Sequence, residues 1–479
     1  MLFICSYRSM SVKNKFLFWF CLLLSGFTWL GFSCFTSNFD PIVSDYTNFA
    51  KAMLDGKVIY RDIIDHKGLY NFLPYLFISF FDRKSMVLYT IMTYAGGILF
   101  YITCLCYMNT FSGNYRRNII ISGLTSVLIL CILSVCSPAP FYSPDTFMLF
   151  VVLFLFHYIQ TGAYKRVDYR VWFVLGLFVG LNLWTKYSLL AIYGPFYCYI
   201  ISRLWLQDRQ KLLKAHAFGF CGVVTVTIPV MIYCGIHSLY ADMFRNYFQL
   251  ISVRDVMLPF VFFSLLVLFL YGLAYICVCK DEEKTFLVIC SLVYLGNVLA
   301  SSALYVPYST FICCALIPVI ASIRLSKCHA IISKCILIAV CALFVGANIE
   351  AFVAYDKDMY HNADIAKQYD ITNDDIIYLC TEDLGFGDYS EDGTYKYQWM
   401  PGKVRYSPIG RQIFDYQLCK IRNHEVDFVA YDIRNLEMFT DVDVSAELVS
   451  NKYKMIEKLL IPGTTTGDRV YMYLWESTI

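Results

Sequence analysis

Residues Asn14–Thr36 read NKFLFWFCLLLSGFTWLGFSCFT, twenty-three positions with a single charge, Lys15, near the start. A helix needs about 20 apolar residues to cross roughly 30 Å of hydrocarbon. A backbone in lipid must also satisfy its own hydrogen bonds, which a helix does within one segment. Comparable apolar runs follow at 86–108, 118–137, 146–161, 171–185, 187–203, 216–235, 257–279, 285–301, 306–325 and 331–353. The fifth and sixth are short and meet at Trp184-Thr185-Lys186-Tyr187. The sequence thus predicts a multi-pass α-helical membrane protein with about eleven transmembrane helices. Composition agrees, since only 16 % of residues are charged where a soluble domain carries about 25 %. The first run reads as an uncleaved signal anchor, being too long for a signal-peptide core and lacking a small-residue cleavage pattern after it.

Short basic connections set the expected orientation. Arg8, Lys13 and Lys15 precede the first run; Arg116 and Arg117 follow the second; Lys165, Arg166 and Arg170 follow the fourth. Arg203, Arg209, Lys211 and Lys214 follow the sixth, Lys280 and Lys284 the eighth, and Arg324, Lys327 and Lys334 the tenth. All fall on one side, which is then the cytoplasm, while 138–145 and 302–305 carry no base. The expectation is an inner or plasma membrane protein with its N-terminus cytoplasmic and its C-terminus extracytoplasmic.

Two stretches fall outside the lipid in this scheme. Residues 1–354 form the membrane domain, with an exported loop at 37–85, and residues 355–479 form an exported tail. The tail holds 22 acids and 13 bases, a net of −9, which suits a solvated surface. Its runs Asp375–Cys380, Val426–Tyr431 and Arg469–Leu474 look like strands, and Ala446–Leu460 has helical spacing, so a small α/β domain is expected. No glycine-rich nucleotide fingerprint follows these strands. Most of the 20 cysteines lie in apolar runs and act there as small hydrophobes. Cys380 and Cys419 sit in soluble sequence, where one disulfide between them is an open alternative. No paired CxxC suggests zinc, and no basic pattern suggests nucleic acid.

The exported loop carries the most polar chemistry. Ser44-Asp45 opens an amphipathic segment with Tyr46, Phe49, Ala50, Met53 and Leu54 at helical spacing, and Gly56 ends it. Such a helix is expected to lie along the membrane with its apolar face among the headgroups. Then follows Tyr60-Arg61-Asp62-Ile63-Ile64-Asp65-His66-Lys67-Gly68. So many polar groups held against a bilayer suit a site that handles an anion.

The order of these parts resembles the GT-C class of membrane glycosyltransferases, in the bacterial branch related to protein mannosyltransferases and aminoarabinose transferases. The matching parts are one span, an exported acid, an amphipathic helix ending at Gly56, then Tyr60-Arg61-Asp62 and Asp65-His66-Lys67-Gly68. Ser143-Pro144-Asp145 is similar to the class's second acidic motif, and Gly180-Leu-Asn-Leu-Trp-Thr-Lys186 to its threonine–lysine segment. The position where the class usually carries its first acid is Ile42 here, flanked by Asp40 and Asp45, and Leu69 stands where proline is usual. The match covers the first 200 residues or so.

The resemblance implies transfer of a sugar from a polyprenyl-phosphate carrier to a lipid, glycan or protein acceptor on the outer face. The departing phosphate asks for cations, and the acceptor hydroxyl asks for a carboxylate within hydrogen-bond reach. Arg61, His66 and Lys67, beside Tyr60 and with Lys186, are the cationic candidates; guanidinium forks match phosphate bidentately. Asp45 or Asp40 is the candidate base, and Asp145 a second carboxylate. The sequence leaves metal dependence open: no cofactor is certain, and two carboxylates and a phosphate could hold a divalent cation.

Each residue also has a structural role open to it. Asp45 and Asp145 suit helix caps, Arg61 and Asp62 an interfacial ion pair, and Lys67 a headgroup anchor. His66 suits a structural contact and Lys186 a helix interface. Tyr240–Met257, with Arg245, Tyr247, Phe248 and Arg254, reads as an amphipathic connection or a loop gating the carrier. Two other functions stay open: a transporter or flippase of lipid-linked sugar, although no repeat relates the two halves as transporters often show, and a non-catalytic relative that binds the carrier.

Overall fold

The computed structural model describes residues 11–37, 49–63, 67–81, 87–111, 114–136, 150–159, 161–187, 190–205, 208–247, 288, 364–371, 375–379, 408–431, 442–460 and 471–478, apart from 152, 156 and 366. Helix α1 spans Val12–Ser37, α2 Leu73–Phe81, α3 Val87–Phe111 and α4 Tyr115–Cys136. Residues 150–151, 153–155 and 157–159 are also helical. Then come α5 (Tyr169–Thr185), α6 (Leu190–Leu204), α7 (Arg209–Ile236) and α8 (Tyr240–Tyr247). Helix thus occupies most of the predicted runs up to residue 236. The predicted runs at 257–279, 285–301, 306–325 and 331–353 lie outside the described residues. Among the described residues, α7 is the one helix long and apolar enough to cross a membrane.

Helix α7 starts seven residues before its apolar run because Asp208 caps it, accepting a hydrogen bond from the Lys211 amide at 3.0 Å. Phe220, Ile228, Ile232 and Ile236 are exposed along it at multiples of four residues, with Val224 in the same row. An exposed apolar ridge of that length marks a surface for lipid or for another protein element.

Helices α5 and α7 run parallel, held close by glycine. Gly176 and Gly180, four residues apart on α5, meet Gly219, Gly222 and Val223 on α7. A Cβ on Gly176 would sit 1.9 Å from the Gly219 carbonyl oxygen, and one on Gly222 2.3 Å from that of Phe173. Small residues at such spacing let two helix backbones approach closely. Helix α6 returns antiparallel: Asn182 donates to the Tyr193 hydroxyl at 2.6 Å, and Tyr164 meets Tyr199 with ring centroids 6.0 Å apart.

A second group joins α1, α3 and α4 around Phe18, Cys21, Leu22, Tyr101, Leu105 and Ile119. Here α1 and α3 are antiparallel, pairing Phe18 with Tyr101 and Phe27 with Tyr94. Contacts carry the same end of the bundle from one group to the other. Asn118 donates to Asn109 at 2.8 Å, Tyr107 meets His157, Tyr164 meets Tyr199, and Trp172 meets His216. Lys13, Lys15, Arg116, Arg117, Lys165, Arg166, Arg170, Arg203, Arg209, Lys211 and Lys214 therefore gather toward one end.

The tail forms a four-stranded sheet flanked by helices. Strand β1 is Ile376–Leu379, helix α9 Pro408–Arg422, β2 Phe428–Tyr431, α10 Val444–Ser450, β3 Tyr453–Leu460 and β4 Tyr471–Ser477. The sheet order is β1-β2-β4-β3, with β1 parallel to β2 and β4 antiparallel to both its neighbours. Ile377, Leu379, Val429 and Trp475 face α9 and α10, joining Ile413, Phe414, Leu418 and Leu448. Ile376, Tyr378, Phe428, Ala430 and Leu474, from the other face, join a core with Phe49, Ile59, Ile63, Trp184, Val230 and Tyr247. Both faces of the sheet are therefore buried, one by the tail's own helices and the other in a cluster shared with Ile365 and Ile371 of the tail and with the loop end of the bundle.

Three expectations change. The predicted helix Ala446–Leu460 is a short helix followed by strand β3. Lys452, at φ +62°, turns the chain out of the helix, and a bulge between Met455 and Glu457 disturbs the alternation that marks a strand. Strand β4 runs two to three residues later than expected, and α9 was not anticipated. In the loop at 37–85, Phe49, Ala50 and Ala52 of the helical stretch 49–54 are buried in protein rather than among headgroups. That stretch does end at Gly56, whose φ of +88° suits a residue without a Cβ.

Candidate functional site

Residues 58–63 close on themselves. Asp62 accepts a hydrogen bond from the Val58 amide at 2.8 Å, and its own amide donates to the Val58 carbonyl, also at 2.8 Å. Tyr60 adopts φ +70° and donates its amide to the Ile63 carbonyl at 2.7 Å. The left-handed conformation costs a non-glycine residue about 1–2 kcal/mol. The burial of Val58, Ile59, Tyr60 and Ile63 offsets it. The Tyr60 hydroxyl reaches across the loop and donates to the Lys67 carbonyl at 2.8 Å. Tyr60 thereby fixes where Lys67 begins.

Arg61 is half exposed and forms a forked pair with Asp62, Nε to Oδ1 at 3.2 Å and a terminal nitrogen to Oδ2 at 3.1 Å. The Asp62 hydrogen bond and charge raise the Arg61 pKa above its usual value. Tyr233 of α7 lies near this pair and Ile59.

The loop is seated on the end of α5. The Gly68 amide donates to the Thr185 carbonyl at 2.9 Å. A Cβ on Gly68 would lie 2.0 Å from the Trp184 carbonyl oxygen. Glycine is needed here for close approach, since its φ of −73° is open to any residue. Lys67 and Lys186 flank this seam, and both are buried, at 9 % and 7 % exposure. Two segments far apart in sequence thus bring two buried lysines to one junction.

Neighbouring hydrogen bonds hold that junction. Tyr70 donates to the Val226 carbonyl at 2.7 Å, and Trp184 Nε1 to the Thr227 hydroxyl at 2.8 Å. Leu69 is buried where the resemblance expects proline. An open apolar groove of about 280 Å³ runs beside it along α7, lined by Val224, Thr227, Ile228, Met231, Ile232, Gly235 and Tyr240.

Of the predicted site residues, the structure brings together Tyr60, Lys67 and Lys186, with Arg61 on the same loop. Asp40, Asp45, His66 and Asp145 lie outside the described residues, as does Cys380. Cys419 is a free, exposed thiol. Among the described residues no three His, Cys, Asp or Glu side chains gather as a metal site requires. Sequence reading missed Tyr70, Trp184 and Thr227 as supports of the seam, because their partners lie on other helices. No protein-family model and no curated protein matches the chain.

Proposed function

We propose that the chain is a multi-pass membrane glycosyltransferase that takes a sugar from a polyprenyl-phosphate carrier. It passes that sugar to a lipid, glycan or protein acceptor on the extracytoplasmic face. The observation that carries this reading is the Gly68–Thr185 seam, where the two segments that resemble GT-C motifs meet, with the buried Lys67 and Lys186 as the residues next to that hydrogen bond in sequence. Two cations in a poorly solvated junction favour an anion far more than they would in water. They act on the charge that grows on the phosphate oxygen as the glycosidic bond breaks. Arg61, partly exposed and already aligned by Asp62, offers a second contact at the solvent edge.

Sidedness supports the same reading. The basic residues gather at one end of the bundle, and the seam, the exported loop and the tail sheet share the core at the other. By the positive-inside rule the basic end is cytoplasmic, so the site faces outward. Asp45 or Asp40 takes the acceptor proton, with Asp145 as a second carboxylate.

The test is donor kinetics with purified protein in nanodiscs. Lys67→Met and Lys186→Met should each lower kcat/KM for a polyprenyl-phosphate sugar by about 10- to 150-fold, the loss of one charge-assisted contact of roughly 1.5–3 kcal/mol. Wild-type turnover in both variants would remove the seam from the site.

A further inference from the structure

The end of α5 is completed by a residue from another helix. In an uninterrupted helix the Tyr187 amide would donate to the Leu183 carbonyl, four residues back. Here the Tyr247 hydroxyl stands between them. It accepts from the Tyr187 amide at 3.0 Å and donates to the Leu183 carbonyl. The Lys186 amide still reaches the Asn182 carbonyl at 2.9 Å, but Lys186 itself is extended, at φ −157° and ψ 90°. The hydroxyl thus satisfies a carbonyl and an amide that the chain's exit from the helix would leave without each other.

The ring of Tyr247 is equally fixed. It is 1 % exposed, stacks near Trp184 with centroids 6.1 Å apart, and meets Tyr187 edge-on at 5.4 Å. Trp184 is the residue whose carbonyl lies against Gly68, and Thr185 accepts the Gly68 amide. Every backbone group from Leu183 to Tyr187 that shapes the seam is therefore within one or two residues of a Tyr247 contact.

We infer that Tyr247 is a positioning residue: its hydroxyl caps the α5 exit and holds the Lys186 backbone extended beside Lys67 and Gly68. The helix that carries it, Tyr240–Tyr247, thereby couples the bundle's loop end to the anion-binding junction. The backbone half of this inference stands on the geometry alone. The consequence for ligand binding rests on the function proposed above.

Tyr247→Phe keeps the ring and removes the hydroxyl. Hydrogen exchange of the full chain in nanodiscs tests the backbone half. Amides in a peptide covering 181–190 should exchange at least about tenfold faster, while those within 213–228 keep the wild-type rate. Unchanged exchange in 181–190, or equal acceleration in both peptides, would overturn it. Binding of dodecyl phosphate tests the consequence through a double-mutant cycle. Tyr247→Phe should weaken binding about tenfold in the wild-type background and less than twofold in Lys186→Met. Equal losses in both backgrounds would show that Tyr247 does not act through Lys186. If the wild-type chain fails to bind dodecyl phosphate, the anion reading falls, and the exchange result alone decides the role of Tyr247.

Discussion

A Cβ on Gly68 would sit 2.0 Å from the Trp184 carbonyl oxygen, whereas one on Gly56 meets nothing within 4 Å. The two glycines are therefore required for different reasons, and their alanine variants should differ. Gly56→Ala meets only the left-handed backbone, at φ +88°, and should cost about 1–2 kcal/mol. Gly68→Ala forces backbone against backbone, with an overpacking cost of about 1–3 kcal/mol or more. It should also raise the donor KM by parting Lys67 from Lys186. Thermal unfolding and donor kinetics of the two variants separate these effects; equal KM values would detach Gly68 from the site. The sequence displays Gly68 as part of a polar motif. It contains no sign of the Trp184 carbonyl, because that contact joins segments more than a hundred residues apart. For the carboxylates, Asp45→Asn should lower kcat by about 10²-fold or more while Asp40→Asn stays within a few-fold of wild type. Asp45 is favoured because the sequence places it where a helix is expected to begin, and such a position favours the ionised carboxylate. The reverse ranking would make Asp40 the base.

At the level of elements, the α5–α7 pair depends on glycine spacing. Gly176→Leu would drive a side chain into the Gly219 backbone, so the helices must part and carry Trp184 away from Thr227. Loss of the folded protein's thermal transition, or a fall of its Tm by several degrees, is the expected outcome; an unchanged Tm would contradict the close packing. In the tail, Arg422 donates to Glu447 at 2.6 Å, linking α9 to α10. That hydrogen bond, ahead of other causes, lowers the Glu447 pKa. A carboxyl whose folded pKa is depressed adds stability above its unfolded value, near 4.3. That stability is lost as pH falls through the lower folded value. The pair is partly exposed, so it contributes at most about 1 kcal/mol. Melting curves from pH 7 to pH 3 should show Glu447→Gln less stable at neutral pH, with the difference vanishing in acid. The long apolar helices were readable because their composition admits little else. Strand β3 was not, because the bulge after Met455 breaks its alternation and Ile456, Leu459 and Leu460 stand three and four residues apart, a spacing that imitates a helix. Helix α9 does carry a signal in the sequence: Pro408 at its first turn, then Ile413, Phe414, Gln417, Leu418 and Ile421 on one buried face.

Across the whole molecule, the tail sheet covers the loop end of the bundle and the basic residues gather at the other end. If the basic end is cytoplasmic, single cysteines placed in the exported loop or the tail of intact cells should react with an impermeant thiol reagent. Cysteines in 109–117 or 204–215 should react after permeabilisation only. Reaction of 204–215 in intact cells would invert the sidedness and place the seam in the cytoplasm. The reading of the whole chain as a glycosyltransferase reduces to one chemical event, the departure of sugar from its lipid phosphate. Purified wild-type protein in nanodiscs, given polyprenyl-phosphate sugars labelled in the sugar, measures that event directly. Label should leave the organic-soluble lipid for an acceptor, and Lys67→Met and Lys186→Met should slow this loss. Label that crosses the bilayer while still attached to its lipid, or stays bound without turnover, would contradict it.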